Sequence, residues 1–146
     1  MDRSLYIYNN PINLSKGRGG EDIMLKLFYI GLGGFFGAIS RYTISKWMAQ
    51  WNSTFPYGTF TVNILGSFLL GFLMTIFFEK TTISPYLRVA ITTGFLGALT
   101  TFSTFAYETM SLFEDKEILL ANINIFSNLI IGLIFVLAGI FLGRTV

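Results

Sequence analysis

The chain has 146 residues, of which 53% are hydrophobic and 12% are charged, and it contains no cysteine and no histidine. This composition is typical of a membrane protein, because a soluble domain carries about 25% charged residues. Without cysteine or histidine, thiol nucleophiles, disulfides, imidazole proton shuttles and the usual zinc clusters are excluded, so we do not expect an enzyme. The net charge of +2 is spread along the chain, and nucleic acid is therefore not an expected partner.

The first 23 residues differ from the rest of the chain. They include the polar stretch NNPINLSKGRGGED and lack an apolar run long enough for a signal peptide. Met24 stands directly before the first apolar segment. We therefore expect residues 1–23 to be a disordered tail or an upstream extension, and residues 24–146 to form one membrane domain.

Four segments are predicted to cross the membrane as helices, which need roughly 20 apolar residues for this purpose. Three of them are free of charge, namely residues 60–78, 89–107 and 118–143. The first segment, from about Met24 toward Trp47, is uncharged only over residues 27–40, so Lys26 and Arg41 must reach the interface or a wet cavity. Short polar joins predict antiparallel neighbours, and hence an all-α fold of four transmembrane helices.

The positive charges, which set the orientation of a membrane chain, are almost balanced between the two sides. From Met24 onward, one side receives Lys26, Lys80, Arg88 and Arg144, and the other receives Arg41, Lys46 and Lys116. Two interpretations remain open. Either the count of positive charges predicts orientation poorly in so short a protein, or the chain inserts in both orientations and pairs with an inverted copy.

Two glycine pairs with G-x-x-x-G spacing lie in the first and last spans. They are Gly33 with Gly37 and Gly139 with Gly143. Such pairs allow helices to approach closely and indicate packing or assembly rather than chemistry.

Polar side chains recur inside the spans at helical spacing. Thr59, Asn63 and Ser67 share one face of the second span, and Asn124 and Asn128 share a face of the last. Each could simply form hydrogen bonds between helices. Two such stripes together favour a lined path, and amide N–H and hydroxyl O–H groups can replace the water around a small anion.

The third span contains the stretch GFLGALTTFSTFAYE, residues 94–108. Gly94 and Gly97 weaken the helix there, and the hydroxyls that follow can satisfy freed backbone groups, so we expect an interruption. A broken helix offers carbonyls to a cation and N–H groups to an anion. Phe102 and Phe105 share one face, where they either pack in the core or present their positive ring edges to an anion.

Three motifs together resemble those of the CrcB/Fluc family of fluoride channels. They are GGFFGAISRY (33–42), GTFTVNILGSFLLG (58–71) and GFLGALTTFSTF (94–105), in the family's order and on the corresponding spans. The resemblance extends from Met24 to about Leu142. It implies an antiparallel, dual-topology homodimer in the lipid bilayer of the cell membrane, with two fluoride pores along its interface and a structural sodium ion (Na+) at its centre. It also implies passive export of cytoplasmic fluoride.

The resemblance implies roles for individual residues. Asn63 is expected as a hydrogen-bond donor in the fluoride pore, Phe102 and Phe105 as its aromatic pair, and Thr59 or Ser103 as a hydroxyl along the track. Main-chain carbonyls of Gly97 and Thr100 are expected to hold Na+, and Arg41 and Glu108 to lie at a vestibule. Family members often carry Tyr or Ser on the track in the last span, where this chain offers Asn124 and Asn128.

Two other functions deserve comparison. A small proton-coupled multidrug exporter of dual topology needs a carboxylate in its first span, and residues 27–40 contain none. A non-transporting assembly protein would explain the glycines but not the polar stripes.

Overall fold

The computed structural model describes residues 19–51, 53–79 and 83–146, and all regular structure within these ranges is helical. Four of its helical segments are long and apolar enough to cross a membrane, namely Gly20–Ala49, Tyr57–Glu79, Pro85–Glu114 and Ile118–Thr145. The four predicted spans are thereby confirmed, each extended at one or both ends. The chain is a multi-pass, all-α membrane protein.

The helices follow one another with short joins. In chain order they are α1 (Gly19–Ala49), α2 (Tyr57–Glu79), α3 (Pro85–Val89), a π-helical segment (Ala90–Leu96), α4 (Gly97–Leu99), α5 (Phe102–Glu114) and α6 (Ile118–Thr145). Helix α1 begins upstream of Met24, so residues 19–23 of the expected tail are helical. The remainder of that tail, residues 1–18, lies outside the described residues.

The third span is assembled from short pieces between Pro85 and Glu114. Its start is set by Ser84, whose hydroxyl accepts a hydrogen bond from the Leu87 N–H at 3.2 Å. Thr100 (φ −81°, ψ 156°) and Thr101 (φ −152°, ψ 115°) have extended backbones and separate α4 from α5. The Thr101 hydroxyl caps α5 by accepting from the Thr104 N–H at 3.2 Å.

Glycines permit backbone contact between α1 and the third span. A Cβ atom added to Gly33 would overlap the Ala90 carbonyl, and one added to Gly94 would lie 2.5 Å from the Ile30 carbonyl oxygen. Gly37 meets the Phe95 carbonyl in the same way. These helices can pack this closely only because the contact surface lacks side chains.

Helices α2 and α6 form the second close pair. A Cβ on Gly71 would overlap the Val136 carbonyl, and one on Gly139 would overlap the Phe68 carbonyl. A Cβ on Gly143 would lie 2.9 Å from the Thr75 Cβ. Both predicted glycine pairs therefore mediate close helix packing within the chain.

The buried apolar core is small. Val62, Leu96 and Leu99 are almost fully buried at its centre. Most other large apolar side chains point outward, including Phe28, Phe36, Leu133 and Phe141. In a bilayer this surface faces lipid or a neighbouring subunit, whereas the interior holds this small apolar core, glycine contacts and several polar groups.

Candidate functional site

The side chain of Asn63, on α2, binds the backbone of the extended residue Thr101. Its Oδ1 accepts from the Thr101 N–H at 2.9 Å, and its Nδ2 donates to the Thr101 carbonyl at 3.3 Å. The same Nδ2 donates to Asn128 Oδ1 at 3.1 Å. The amide therefore supplies hydrogen-bond partners that the extended backbone of Thr101 does not find in a helix.

This network continues along α6 into the protein interior. Asn128 Nδ2 donates to the carbonyl oxygen of Asn124 at 3.0 Å and to its Oδ1 at 2.9 Å. Asn124, whose side chain is fully buried, donates to Thr109 Oγ1 at 2.9 Å, and Thr109 donates to the Phe105 carbonyl at 2.7 Å. The two polar stripes thus meet in one chain of hydrogen bonds that runs from α2 through α6 to α5.

Phe102 and Phe105 lie side by side at the start of α5. Their ring centroids are 5.7 Å apart, with an angle of 53° between the ring planes. Phe102 is 79% exposed and Phe105 is half-buried. Phe102 is therefore not a core residue of the single chain. Packing in the core of that chain does not explain its position.

A second polar contact joins the start of α2 to α5. The buried Thr59 hydroxyl donates to Glu108 Oε1 at 2.8 Å. The other carboxylate oxygen of Glu108 is buried and has no hydrogen-bond partner among the described residues. The hydrogen bond from Thr59 therefore holds the Glu108 carboxylate against α2.

The Gly97 carbonyl does not receive the hydrogen bond that it would accept from Thr101 in an unbroken helix. The Thr101 N–H donates to Asn63 instead. Gly97 is exposed, and the Thr100 hydroxyl is engaged with the Leu96 carbonyl at 3.0 Å. Within the described residues no group of three or more His, Cys, Asp or Glu side chains could hold a metal ion.

A surface cavity of about 540 Å³ lies between α2, α6 and the third span. Its wall includes Asn63, Ser67, Thr100, Phe102, Phe105 and Asn128. Gly97 also lies on this wall. The cavity therefore brings together the amides and the aromatic pair that the sequence singled out.

The other candidate residues lie elsewhere. Asn124 lies behind the wall, and Thr59 and Glu108 lie outside the set of lining residues. Ser103 is exposed, with its hydroxyl 3.4 Å from Thr101 Oγ1. Arg41 is half-buried on α1 and forms no ion pair within the described ranges.

Comparison with known proteins places this architecture in a family. The family model described as "CrcB-like protein, Camphor Resistance (CrcB)" matches residues 28–140. The chain belongs to the CrcB family. The family membership expected from the three motifs is thereby confirmed.

Curated relatives of this CrcB chain carry the name "Fluoride-specific ion channel FluC". The chain is 46% identical to one from Geotalea daltonii over 122 residues, which cover 83% of this chain and 98% of the relative. It is 49% identical to one from a Nitratiruptor species over 119 residues, covering 81% and 91%. It is 45% identical to one from Clostridium perfringens over 122 residues, covering 83% and 95%. These names are those of channels, as expected for a chain that is not an enzyme.

The motifs and polar stripes do not point to two residues of this hydrogen-bond network, Thr101 and Thr109. Thr109 follows Phe105 by one helical turn and Phe102 by two, so helical periodicity places all three on one face. That spacing is the signal by which Thr109 could have been found.

Proposed function

We propose that this chain is a fluoride-selective ion channel that passively exports fluoride from the cytoplasm. The observation that carries the proposal is the cavity wall on which Asn63, Asn128, Phe102 and Phe105 meet. Fluoride is small and strongly hydrated, so a narrow path must replace its water with closely placed hydrogen-bond donors. The names of the curated relatives support the choice of fluoride.

Asn63 is the proposed donor at the centre of the path. Both of its N–H groups are engaged, one with the Thr101 carbonyl and one with Asn128 Oδ1. A passing fluoride ion would take the place of the Asn128 oxygen, because an ion is a stronger acceptor than a neutral amide. The bond to Thr101 then keeps the Asn63 side chain in position while the ion moves on.

Phe102 and Phe105 would present ring edges to the dehydrated ion. The edge of a phenyl ring is electropositive, and aliphatic side chains of similar size have no such feature. The hydroxyls of Ser103 and Thr59 are proposed along the same track, together with the amide of Asn128. Because Asn124 lies behind the cavity wall, its role would be to hold Asn128 in place.

The assembly we propose is an antiparallel, dual-topology homodimer with two pores. A single chain leaves the cavity at its surface and Phe102 79% exposed, so another copy is needed to enclose a path. The nearly balanced positive charges favour insertion in both orientations. Labelling a C-terminal tag in intact cells should then reach the tag from both sides, and labelling from one side alone would exclude this assembly.

We propose that the main-chain oxygens of Gly97 and Thr100 hold a structural sodium ion. The Gly97 carbonyl lacks its usual helical partner and lies at an exposed position, and carbonyl oxygens suit a hard cation. Two oxygens do not complete the coordination shell of a hard cation, so the proposed ion requires the second subunit. Bound there, it would neutralise the converging carbonyl dipoles and join the two chains.

Arg41 and Glu108 are proposed at the vestibule that leads to the pore. The proton-coupled exporter remains the alternative, since Glu108 is a half-buried carboxylate in the third span. It lies on α5 rather than in the first span, and the family assignment does not favour an exporter.

Fluoride efflux from liposomes that hold the purified chain tests the proposed function. Fluoride-loaded vesicles should release the ion down its gradient without a proton gradient, and chloride-loaded vesicles should barely leak. Equal chloride release, or no release of either ion, would contradict the proposal. Release that requires a proton gradient would instead favour the exporter.

A further inference from the structure

Several hydroxyl groups inside the spans are engaged by their own helix. Thr75 donates to the Gly71 carbonyl at 2.9 Å, Thr92 to the Arg88 carbonyl at 2.9 Å, and Thr109 to the Phe105 carbonyl at 2.7 Å. This bond to the preceding turn is the usual way for a hydroxyl to be satisfied in an apolar helix. A hydroxyl that forgoes it is free for another partner.

Ser67, on α2, forgoes this bond. It lies one helical turn after Asn63 and on the cavity wall, yet its hydroxyl forms no hydrogen bond with any residue in the described ranges. Ser67 is half-buried, and its Oγ atom keeps accessible surface.

The donor groups of the other polar side chains on this wall already form hydrogen bonds within the protein. Both N–H groups of Asn63 are engaged, and those of Asn128 bond to the two oxygens of Asn124. The hydroxyls of Thr92, Thr100 and Thr101 donate to Arg88, Leu96 and Thr104, respectively. Over the described part of the wall, Ser67 therefore carries the side-chain donor that an anion can use without breaking an existing bond.

Gly132, on α6, is a neighbour of this hydroxyl that has no side chain of its own. A Cβ atom at Gly132 would lie 3.7 Å from Ser67 Oγ and 3.9 Å from Ile64 Cδ1, which are ordinary contact distances. Space therefore exists for a methyl group at this position. A methyl group there would contact Ser67 Oγ without displacing it.

We propose that the Ser67 hydroxyl is a fluoride ligand of the cavity, one helical turn from Asn63 along the path. This inference rests on the proposed fluoride conduction and adds a binding residue to it. The ion would first accept the free Ser67 O–H and then displace Asn128 Oδ1 from Asn63. Transfer between neighbouring donors on one helix face keeps the ion coordinated as it sheds water.

The test compares fluoride efflux from liposomes for three variants and the unmodified chain. Ser67→Ala deletes the donor, and because a hydrogen bond to an ion is lost, fluoride flux at a fixed concentration should fall by roughly tenfold or more. Gly132→Ala keeps Ser67 but places a methyl group against it, and flux should also fall. Thr75→Val, on the same helix, deletes a hydroxyl that is committed to Gly71 and lies off the cavity wall, so flux should be unchanged.

The outcomes separate this inference from the proposed function. If the unmodified chain conducts and both Ser67→Ala and Gly132→Ala conduct equally well, Ser67 is not a ligand and the channel proposal stands. If the unmodified chain does not conduct fluoride, the channel proposal itself fails. Loss of the assembled state in Ser67→Ala, seen by size-exclusion chromatography together with normal flux in Gly132→Ala, would assign Ser67 to subunit contact and overturn the inference.

Discussion

Asn63 and Thr101 are joined by a reciprocal pair of hydrogen bonds between the Asn63 amide and the Thr101 backbone. The Thr101 N–H and carbonyl both belong to an extended residue within a membrane span, where water is not available to them. The amide of α2 therefore stabilises the join between α4 and α5 and lies on the cavity wall at the same time. Stability and conduction are expected to depend on the same side chain.

Asn63→Leu should lower both stability and flux. The substitution keeps the size of the side chain but leaves the Thr101 N–H without an acceptor, which costs about 1–3 kcal/mol for a buried donor. We expect a lower midpoint of thermal unfolding in detergent and no fluoride efflux from liposomes. Asn63→Asp retains an oxygen for the Thr101 N–H but directs a second oxygen at the Thr101 carbonyl and at Asn128 Oδ1, so it should restore neither full stability nor flux. Full flux in Asn63→Leu would contradict the proposed role.

Phe102→Ile and Phe105→Ile should reduce flux with little effect on folding. Both changes retain apolar bulk and delete the electropositive ring edge. Phe102 is 79% exposed in the single chain, so its replacement should cost no more than the ~1.5 kcal/mol typical of apolar exchanges. Fluoride efflux from variants with an unchanged size-exclusion profile shows whether the two rings line the path. Normal flux in both would show that these rings do not line the path.

Gly139→Ala should destabilise the chain, because the added Cβ would overlap the Phe68 carbonyl in the contact between α2 and α6. Overpacking of this kind typically costs about 1–3 kcal/mol. Gly31→Ala is the matched control, since a Cβ there meets nothing within 4 Å and alanine is the better helix former. Thermal unfolding in detergent should place Gly139→Ala below the unmodified chain and Gly31→Ala at or above it. The reverse order would refute the packing described for this helix pair.

Lys116→Gly should stabilise the turn between α5 and α6. Lys116 has a φ of 62°, a left-handed conformation that costs a residue with a Cβ about 1–2 kcal/mol. The Glu117 N–H donates to the Leu112 carbonyl at 2.8 Å, so this conformation closes the end of α5. Lys116→Ala removes the same charge but keeps the Cβ, and only the glycine variant should unfold at a higher temperature. Equal midpoints for the two variants would mean that charge, and not backbone conformation, matters here.

The four spans could be predicted because each depends only on local hydropathy and on the distribution of charge. The stripe on α2 and the pair Phe102 and Phe105 could also be read from helical periodicity. The partners of these residues could not be predicted. The bond of Asn63 to Asn128 and that of Thr59 to Glu108 depend on the register between separate helices, which glycine contacts such as Gly71 against Val136 determine.

Asn124 illustrates the limit of a stripe read from sequence. Helical spacing predicts that it shares the pore track with Asn128, since the two residues are one turn apart on α6. In the fold Asn128 lies on the cavity wall, whereas Asn124 is fully buried and bonded to Thr109. Residues on one face of a helix can contact different neighbouring helices. Periodicity therefore predicts which face a residue occupies but not how deeply it is buried.

The central claim is selective and passive fluoride conduction, and the reversal potential of the purified channel in a planar bilayer tests it most directly. With a fluoride gradient, equal chloride on both sides and equal pH, the account predicts reversal at the equilibrium potential of fluoride. Adding a chloride gradient or a pH gradient should leave that potential unchanged. Reversal near zero, or a reversal potential that follows chloride or protons, would contradict the account.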